Sequence, residues 1–295
     1  MRRPFVYIII TLFFGFAAGG LRALELQTAW DKELGVMSPG HPASLGLIIV
    51  SVAFLLIMLP LTRVKSKPTG ERVISARHTP AYLAADIFAT AALLVSAYLD
   101  ISRYAGLSDV TVEAPVSLLV FSLLTVFTGL CMLMLMRMTL RGMVDRAYGF
   151  YMTVPVFWSC FWLIMEFAAN SANPILLTYA YEILAIVFIV LALYSMAGFF
   201  FDMPHTSQTL LYCVLGAFFS CVTVLGPILS YVFWQVWPVE GSADGAQFFR
   251  FLYATIHLLA SVYVLRGRKI SQRPAAAART APAPAPAEGE SGGGL

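Results

Sequence analysis

A small set of ionisable side chains lies inside long apolar runs of this sequence. They are carboxylates, guanidinium groups and one imidazole: Asp86, Asp100, Arg103, Glu166, Glu182, Arg250 and His257. An ionised group in an apolar environment is costly unless it is paired or used, so these residues are the first candidates for chemistry. Carboxylates and an imidazole exchange protons or bind cations, and a guanidinium group donates hydrogen bonds to anions.

Helical spacing groups several of these residues with aromatic rings. Residues three or four positions apart share one face of a helix. Two such faces result, with Trp158, Trp162 and Glu166 on one helix and Arg250, Tyr253, His257 and Ser261 on another. Tyr179 precedes Glu182 by three residues and shares its face. Such stripes of aromatic and charged side chains are typical of a polar cleft with specific binding groups.

The runs that carry these residues are long enough to cross a bilayer. Of the 295 residues, 59% are hydrophobic and 12% are charged, whereas soluble domains carry about 25% charged residues. A helix needs about 20 apolar residues to span the hydrocarbon core, and it pairs its own backbone groups there. We therefore predict an all-α, polytopic transmembrane bundle of about eight helices. The predicted helices cover residues 5–21, 44–61, 81–104, 115–135, 148–168, 174–201, 209–237 and 248–265.

The basic residues predict the orientation of the bundle. Most of the 19 Lys and Arg residues lie in the amino terminus, in the loops after the second and fourth predicted helices, and after residue 265. Acidic residues accumulate in the alternate loops. Because cytoplasmic loops carry the excess of basic residues, both termini are predicted to be cytoplasmic. In the alternative, the first run is a cleaved signal peptide and seven helices remain.

Composition and motifs exclude several classes of function. Residues 1–273 are predicted to form the membrane domain, and the Ala-, Pro- and Gly-rich residues 274–295 a disordered cytoplasmic tail. The sequence contains no phosphate-binding loop, dinucleotide fingerprint or hydrolase motif. No His/Cys cluster has the spacing of metal ligands, so no metal or cofactor is predicted. The basic segment 63–77 is interpreted as a loop beside anionic lipid rather than a nucleic-acid site.

Depth along the predicted helices suggests where a ligand binds. Most of the ionisable residues fall in the outer half of the membrane or at its middle, whereas Asp86 lies near the cytoplasmic face and is interpreted as an interfacial anchor. We predict an outward-facing polar cleft. The predicted ligand-binding residues are Asp100, Trp162, Glu166, Tyr179, Glu182, Arg250 and His257.

Four hypotheses of function remain open. The first is a protein that binds or senses a small polar or cationic ligand in that cleft. The second is a secondary transporter or channel that uses Glu182, Asp86 or His257 for proton or ion coupling. The third is a membrane enzyme that acts on lipid, which no motif supports. The fourth is a scaffold whose small-residue segment 15–20 packs against another membrane protein. The lipid bilayer is the expected environment, and short loops with a strong basic bias are typical of a bacterial cell membrane.

The orientation predicts how reporter fusions behave. A reporter that is active only in the cytoplasm is expected to be active after Gly70 and Gly293 and inactive after Leu34 and Glu240. Its activity in whole cells is the measurement, and the full-length fusions serve as expression controls. Activity on both sides of one predicted span would contradict the order of the helices.

Overall fold

The chain forms a helical membrane bundle. The computed structural model describes residues 4–31, 36–37, 40–63, 80–108, 116–141, 149–171, 179–201, 205–234 and 245–267. Within these ranges, eight helices are long and apolar enough to cross a membrane. This confirms the predicted all-α polytopic bundle. The predicted tail, residues 274–295, lies outside the described residues, and the orientation of the bundle stays a prediction.

The helices follow one another with short connections. Two two-residue strands, β1 (Trp30–Asp31) and β2 (Val36–Met37), pair antiparallel between the first two helices. The helices are α1 (Pro4–Thr28), α2 (Pro42–Thr62), α3 (Pro80–Ser108), α4 (Val116–Arg141), α5 (Gly149–Asn170), α6 (Ala180–Ala197), α7 (Thr206–Trp234) and α8 (Gly245–Gly267).

Apolar side chains on the outside of the bundle fit a lipid environment. Phe13, Ile49 and Phe157 are each about two-thirds exposed, which is favourable in hydrocarbon and unfavourable in water. Hydroxyl groups inside the helices are satisfied locally; for example, Thr125 Oγ1 donates to the Phe121 carbonyl at 2.8 Å. The chain is therefore a multi-pass membrane protein.

Six of the helices form a closed ring. Each helix from α3 to α8 packs against the next one, and α8 packs against α3 to complete the circle. Helices α1 and α2 lie outside this ring, where both contact α7. Helix α7 is therefore covered from two sides, and most of its residues are buried.

Helix α1 is longer than predicted. It continues seven residues past position 21, through Arg22 and Glu25, which sequence analysis had placed in the outer loop. Arg22 Nη1 and Glu25 Oε2 are 2.7 Å apart and both side chains are buried. Ser44 of α2 donates a hydrogen bond to Glu25 Oε1. Because the two charges satisfy each other one turn apart, the helix continues through them.

Glycines allow α1 and α7 to approach closely. A Cβ atom on Gly15 would lie 2.9 Å from Cys221 Sγ, and one on Gly19 would lie 2.7 Å from Leu225 Cβ. Small residues permit such close contact between membrane helices. The segment that the scaffold hypothesis assigned to another protein thus packs against a helix of the same chain.

This contact generates a matched pair of substitutions. We expect Gly19→Ala to lower the free energy of unfolding by about 1–3 kcal/mol, because its new methyl group overlaps Leu225. Gly20→Ala is the control, since nothing lies within 4 Å of a Cβ there. It should be neutral, or stabilising by up to about 1 kcal/mol through helix propensity. Unfolding in detergent measures both, and equal responses would contradict the described packing.

Candidate functional site

Two buried ionic pairs join α3 to α8. Arg250 Nη2 donates to Asp100 Oδ1 at 3.2 Å, and His257 Nδ1 lies 2.7 Å from Asp86 Oδ1. All four side chains are less than a tenth exposed. The later residue of α8 pairs with the earlier residue of α3, so the two helices run antiparallel. Two helices separated by four intervening spans must be antiparallel, which agrees with the order of the helices.

The spacing along each helix places both of its partners on one face. Asp86 and Asp100 are 14 residues apart, which is close to four helical turns, or about 21 Å. Arg250 and His257 are seven residues apart, close to two turns. Each helix thus presents both of its charged residues to the other helix. Asp100 and Arg250 both lie in the half predicted to be outer. Asp86 was predicted to lie near the cytoplasmic face, and its partner His257 near the middle of the membrane; this pair is called the inner pair below.

Aromatic rings hold the guanidinium group of Arg250. Its Cζ atom lies 4.9 Å from the ring centre of Phe121 and 5.6 Å from that of Trp162. Such cation–π contacts are strongest where water is excluded. Arg250 therefore contacts two other predicted ligand-binding residues, Asp100 and Trp162.

Two further predicted residues form a half-buried acidic group. Glu166 Oε1 accepts a hydrogen bond from Asn170 Nδ2 at 3.1 Å. Glu182 lies in the first turn of α6. It is close enough to Glu166 and Arg22 for their charges to interact, and it lies beside the amide of Gln247. Both carboxylates are partly accessible. This group contains more negative charge than positive charge and is suited to a cationic ligand.

The structure assigns a different role to Tyr179 from the predicted one. Tyr179 is the N-cap residue of α6 and contributes its backbone carbonyl, which accepts from the Ile183 amide. The neighbouring Tyr181 instead contacts the charged residues, with Arg22 5.4 Å above its ring. Spacing from Glu182 favoured Tyr179, but that residue precedes the first helical turn, so the helical periodicity does not apply to it.

Sequence reasoning also missed the contribution of α1. Arg22 and Glu25 are buried and reach the acidic group and α2. Their spacing of three residues, followed by the apolar Leu26, is a helical signal. It indicates that the helix extends beyond its hydrocarbon-length run.

A cavity lies beside the inner pair. Its volume is about 60 Å³, and its polar wall consists of Tyr82, Asp86, His257 and Ser261. Side chains of α4, α5 and α6 form the apolar wall. An ionised carboxylate can only accept a hydrogen bond, so beside an ionised Asp86 the His257 Nδ1 atom carries the shared proton. His257 Nε2 is buried and has no hydrogen-bond partner within the described part of the chain.

The structure places His257 beside Asp86 and not beside the outer residues with which it was grouped. Sequence reasoning grouped His257 with the outer residues and interpreted Asp86 as an interfacial anchor. The structure pairs the two and buries both, with Asp86 only 1% exposed. Counting residues along a helix estimates depth but does not identify the residue on a neighbouring helix that faces it.

An aromatic layer separates the two ionic pairs. Trp158 lies edge-on to Tyr253 at 5.8 Å, and Trp158 packs against Trp162 at 5.3 Å. Tyr253 stacks on the ring of His257 at 5.5 Å. Trp158 Nε1 donates to Thr125 Oγ1 at 2.9 Å, which fixes the orientation of the indole. The interior of the ring thus consists of an outer charged layer, an aromatic layer and an inner cavity.

The outer pair predicts strong energetic coupling. Asp100→Asn and Arg250→Gln are each expected to lower the free energy of unfolding by about 3–5 kcal/mol, because each removes one partner of a buried ion pair. The double variant should be less destabilised than the sum of the two, since it removes both charges. Unfolding of all four proteins in detergent measures this cycle. Additive losses would show that the two residues do not interact.

Comparison of the chain with protein-family models, with curated proteins and with solved structures finds no match in any of the three. Among the residues that the structure describes, no group of three or more His, Cys, Asp or Glu side chains is arranged to hold a metal ion. Function therefore has to follow from the two buried pairs, the acidic group and the cavity.

Proposed function

We propose that this protein is a proton-linked secondary transporter of a small solute, with Asp86 and His257 as the proton-binding pair. The observation that carries the proposal is the burial of this carboxylate–imidazole pair in the wall of a cavity inside the helix ring. Ionisable groups at membrane depth that face a cavity, rather than lipid, are typical of ion and proton pathways.

The chemistry of the pair supports reversible proton binding. Imidazole is the side chain that changes its charge near neutral pH. Asp86 accepts from Nδ1 and stabilises the imidazolium form, whereas Nε2 gains or loses the second proton. A solute in the adjacent cavity contacts His257 and shifts the equilibrium between the protonated and neutral forms of its imidazole. By thermodynamic linkage, the proton changes the affinity for the solute by the same factor.

The layered interior supports alternating access to the cavity. The aromatic layer of Trp158, Trp162 and Tyr253 separates the cavity from the outer charged layer. Because one helix pair carries both ionic contacts, a shift of α3 against α8 would change the outer and inner layers together. Discrete rearrangements of packed helices are a common basis of such two-state behaviour.

The outer acidic group supports a second candidate, the binding or sensing of a cationic ligand without transport. Glu166 and Glu182 are both partly accessible, and they lie within electrostatic range of each other. Two such carboxylates attract a cation more strongly than either one alone. In a transporter the same group is the expected entry site from the outside.

Proton binding by the inner pair tests the proposed function without knowledge of the solute. In infrared difference spectra recorded between about pH 5 and 8, where imidazole titrates, the wild type should show imidazole and carboxylate bands. Asp86→Asn and His257→Gln should each remove the imidazole and carboxylate bands that change together with pH, because each leaves the other residue without its partner. Glu166→Gln is the control, since it alters only the outer acidic group.

Flux through liposomes separates the two candidates. A pH gradient should drive solute uptake by reconstituted wild-type protein, and His257→Gln should abolish this dependence. Uptake that responds to the pH gradient equally in wild type and in both inner-pair variants would contradict the proposed role. If the protein shows no flux but a cationic ligand raises its thermal stability, and Glu182→Gln removes that effect, the second candidate, ligand binding or sensing, is favoured.

A further inference from the structure

We propose that the cavity binds a soft monovalent metal cation, Cu(I), through His257 Nε2 and methionine thioethers. This inference rests on the proposed function in so far as it makes the cation the transported solute. The binding site itself is argued from the walls of the cavity.

Methionine is concentrated around the cavity. It contributes 12 of the 295 residues of the chain, yet four of the twelve residues that line the cavity are methionines. These are Met132 and Met136 on α4, Met152 on α5 and Met196 on α6. The two methionines of α4 are four residues apart and share one face of the helix. Three helices of the ring therefore bring thioether groups to one small space.

Thioethers select the class of cation. They are uncharged, soft ligands that favour Cu(I), whereas Mg²⁺ and Ca²⁺ favour oxygen ligands. Methionine also fills irregular gaps in apolar cores, which is the alternative explanation of its abundance here. A gap-filling role alone does not account for the space of about 60 Å³ that remains beside these side chains. It also leaves the buried polar pair in the same wall unexplained.

His257 has the arrangement of a metal-binding imidazole. A ligating histidine commonly donates its second ring N–H to a carboxylate, which fixes the tautomer and orientation of the ring. Asp86 occupies that position at 2.7 Å from Nδ1. In the neutral ring the lone pair then resides on Nε2, which is buried and has no hydrogen-bond partner among the described residues. The unpartnered nitrogen and the thioethers form a mixed N/S donor set.

Size and charge are both consistent with a single cation. Binding sites for organic molecules usually measure about 300–1,000 Å³, so a cavity of about 60 Å³ suits an ion and its ligands. The thioethers and neutral imidazole contribute no charge, and Asp86 offers one negative charge. A monovalent cation is therefore neutralised, whereas a divalent cation would retain a net charge in an apolar interior.

The same nitrogen explains the link to protons. Nε2 holds either a proton or the cation, because both occupy its one lone pair. When the imidazolium form binds Cu(I), one proton leaves Nε2 as one N–Cu bond forms, and the charge in the cavity is unchanged. Copper remains monovalent throughout. Mutual exclusion at one atom is thus a physical basis for the exchange of a proton for a metal ion.

Binding of Cu(I) to the purified full-length protein tests the inference. Under anaerobic, reducing conditions the protein should compete with a chromophoric chelator for about one Cu(I) per chain, and X-ray absorption should show sulfur and nitrogen neighbours. Replacement of Met132, Met136, Met152 and Met196 together by leucine should remove the sulfur signal. Asp86→Asn should weaken binding about 10–100-fold, as other second-shell changes do.

Matched controls distinguish the site from nonspecific effects. Leucine is close to methionine in volume and is generally tolerated in its place. Met134→Leu changes the same helix at a position that is 46% exposed, so it should leave Cu(I) affinity unchanged. The thermal stability of each variant identifies any that fail to fold, and Ag(I) serves as a redox-inert probe for the same ligands.

The outcomes also separate the two proposals. Cu(I) affinity that is unchanged in the quadruple leucine variant and in His257→Gln would overturn the metal site. If the infrared bands of the inner pair persist in that case, the proposed function stands and only the identity of the solute fails. The opposite result is that Cu(I) binds through sulfur and nitrogen but the inner pair shows no proton binding. That result would overturn proton-linked transport and leave the metal site intact.

Discussion

The pairing of buried charges between α3 and α8 is the constraint on which the interior of this protein depends. Helix α3 carries two carboxylates on one face, and neither can remain unpaired at membrane depth without a large cost in free energy. Helix α8 supplies both partners, Arg250 for Asp100 and His257 for Asp86. Because α8 is the last helix of the ring and α3 is the first, the two ionic contacts also close the ring. The buried ionic pairs are therefore the contacts that join its ends.

The two ends of this contact have different chemistry. Arg250 cannot give up its proton in a protein, and aromatic rings enclose it, so the outer pair is a stable structural element. An imidazole can hold either one or two protons, and His257 borders open space. The two ends of the helix pair therefore differ in the type of basic partner, with the aromatic layer between them.

The contact between α1 and α7 differs in kind from that between α3 and α8. Helix α1 packs on α7 through glycines that leave almost no space between the backbones, and such a contact has essentially one geometry. The contact between α3 and α8 instead depends on hydrogen bonds and ion pairs, whose partners can change without loss of packing.

The sequence alone was sufficient to predict the number and class of the helices. A hydrocarbon-length apolar run is a local property of the sequence. Each run is easily recognised because charged residues flank it. It also identified Asp100, Trp162, Glu182 and Arg250 as unusual, since an ionisable or aromatic residue in such a run stands out. The extension of α1 through Arg22 and Glu25 was missed, because hydropathy decreases where two charges neutralise each other.

Tertiary structure decided which of these residues meet. Asp86 and His257 are separated by 171 positions along the chain, and neither helical period nor depth relates them. The rotation of each helix about its own axis determines the partner, and that rotation depends on the packing of all its neighbours at once. The same holds for the methionines, which are ordinary apolar residues in the sequence and become a donor set only when three helices bring them to one cavity.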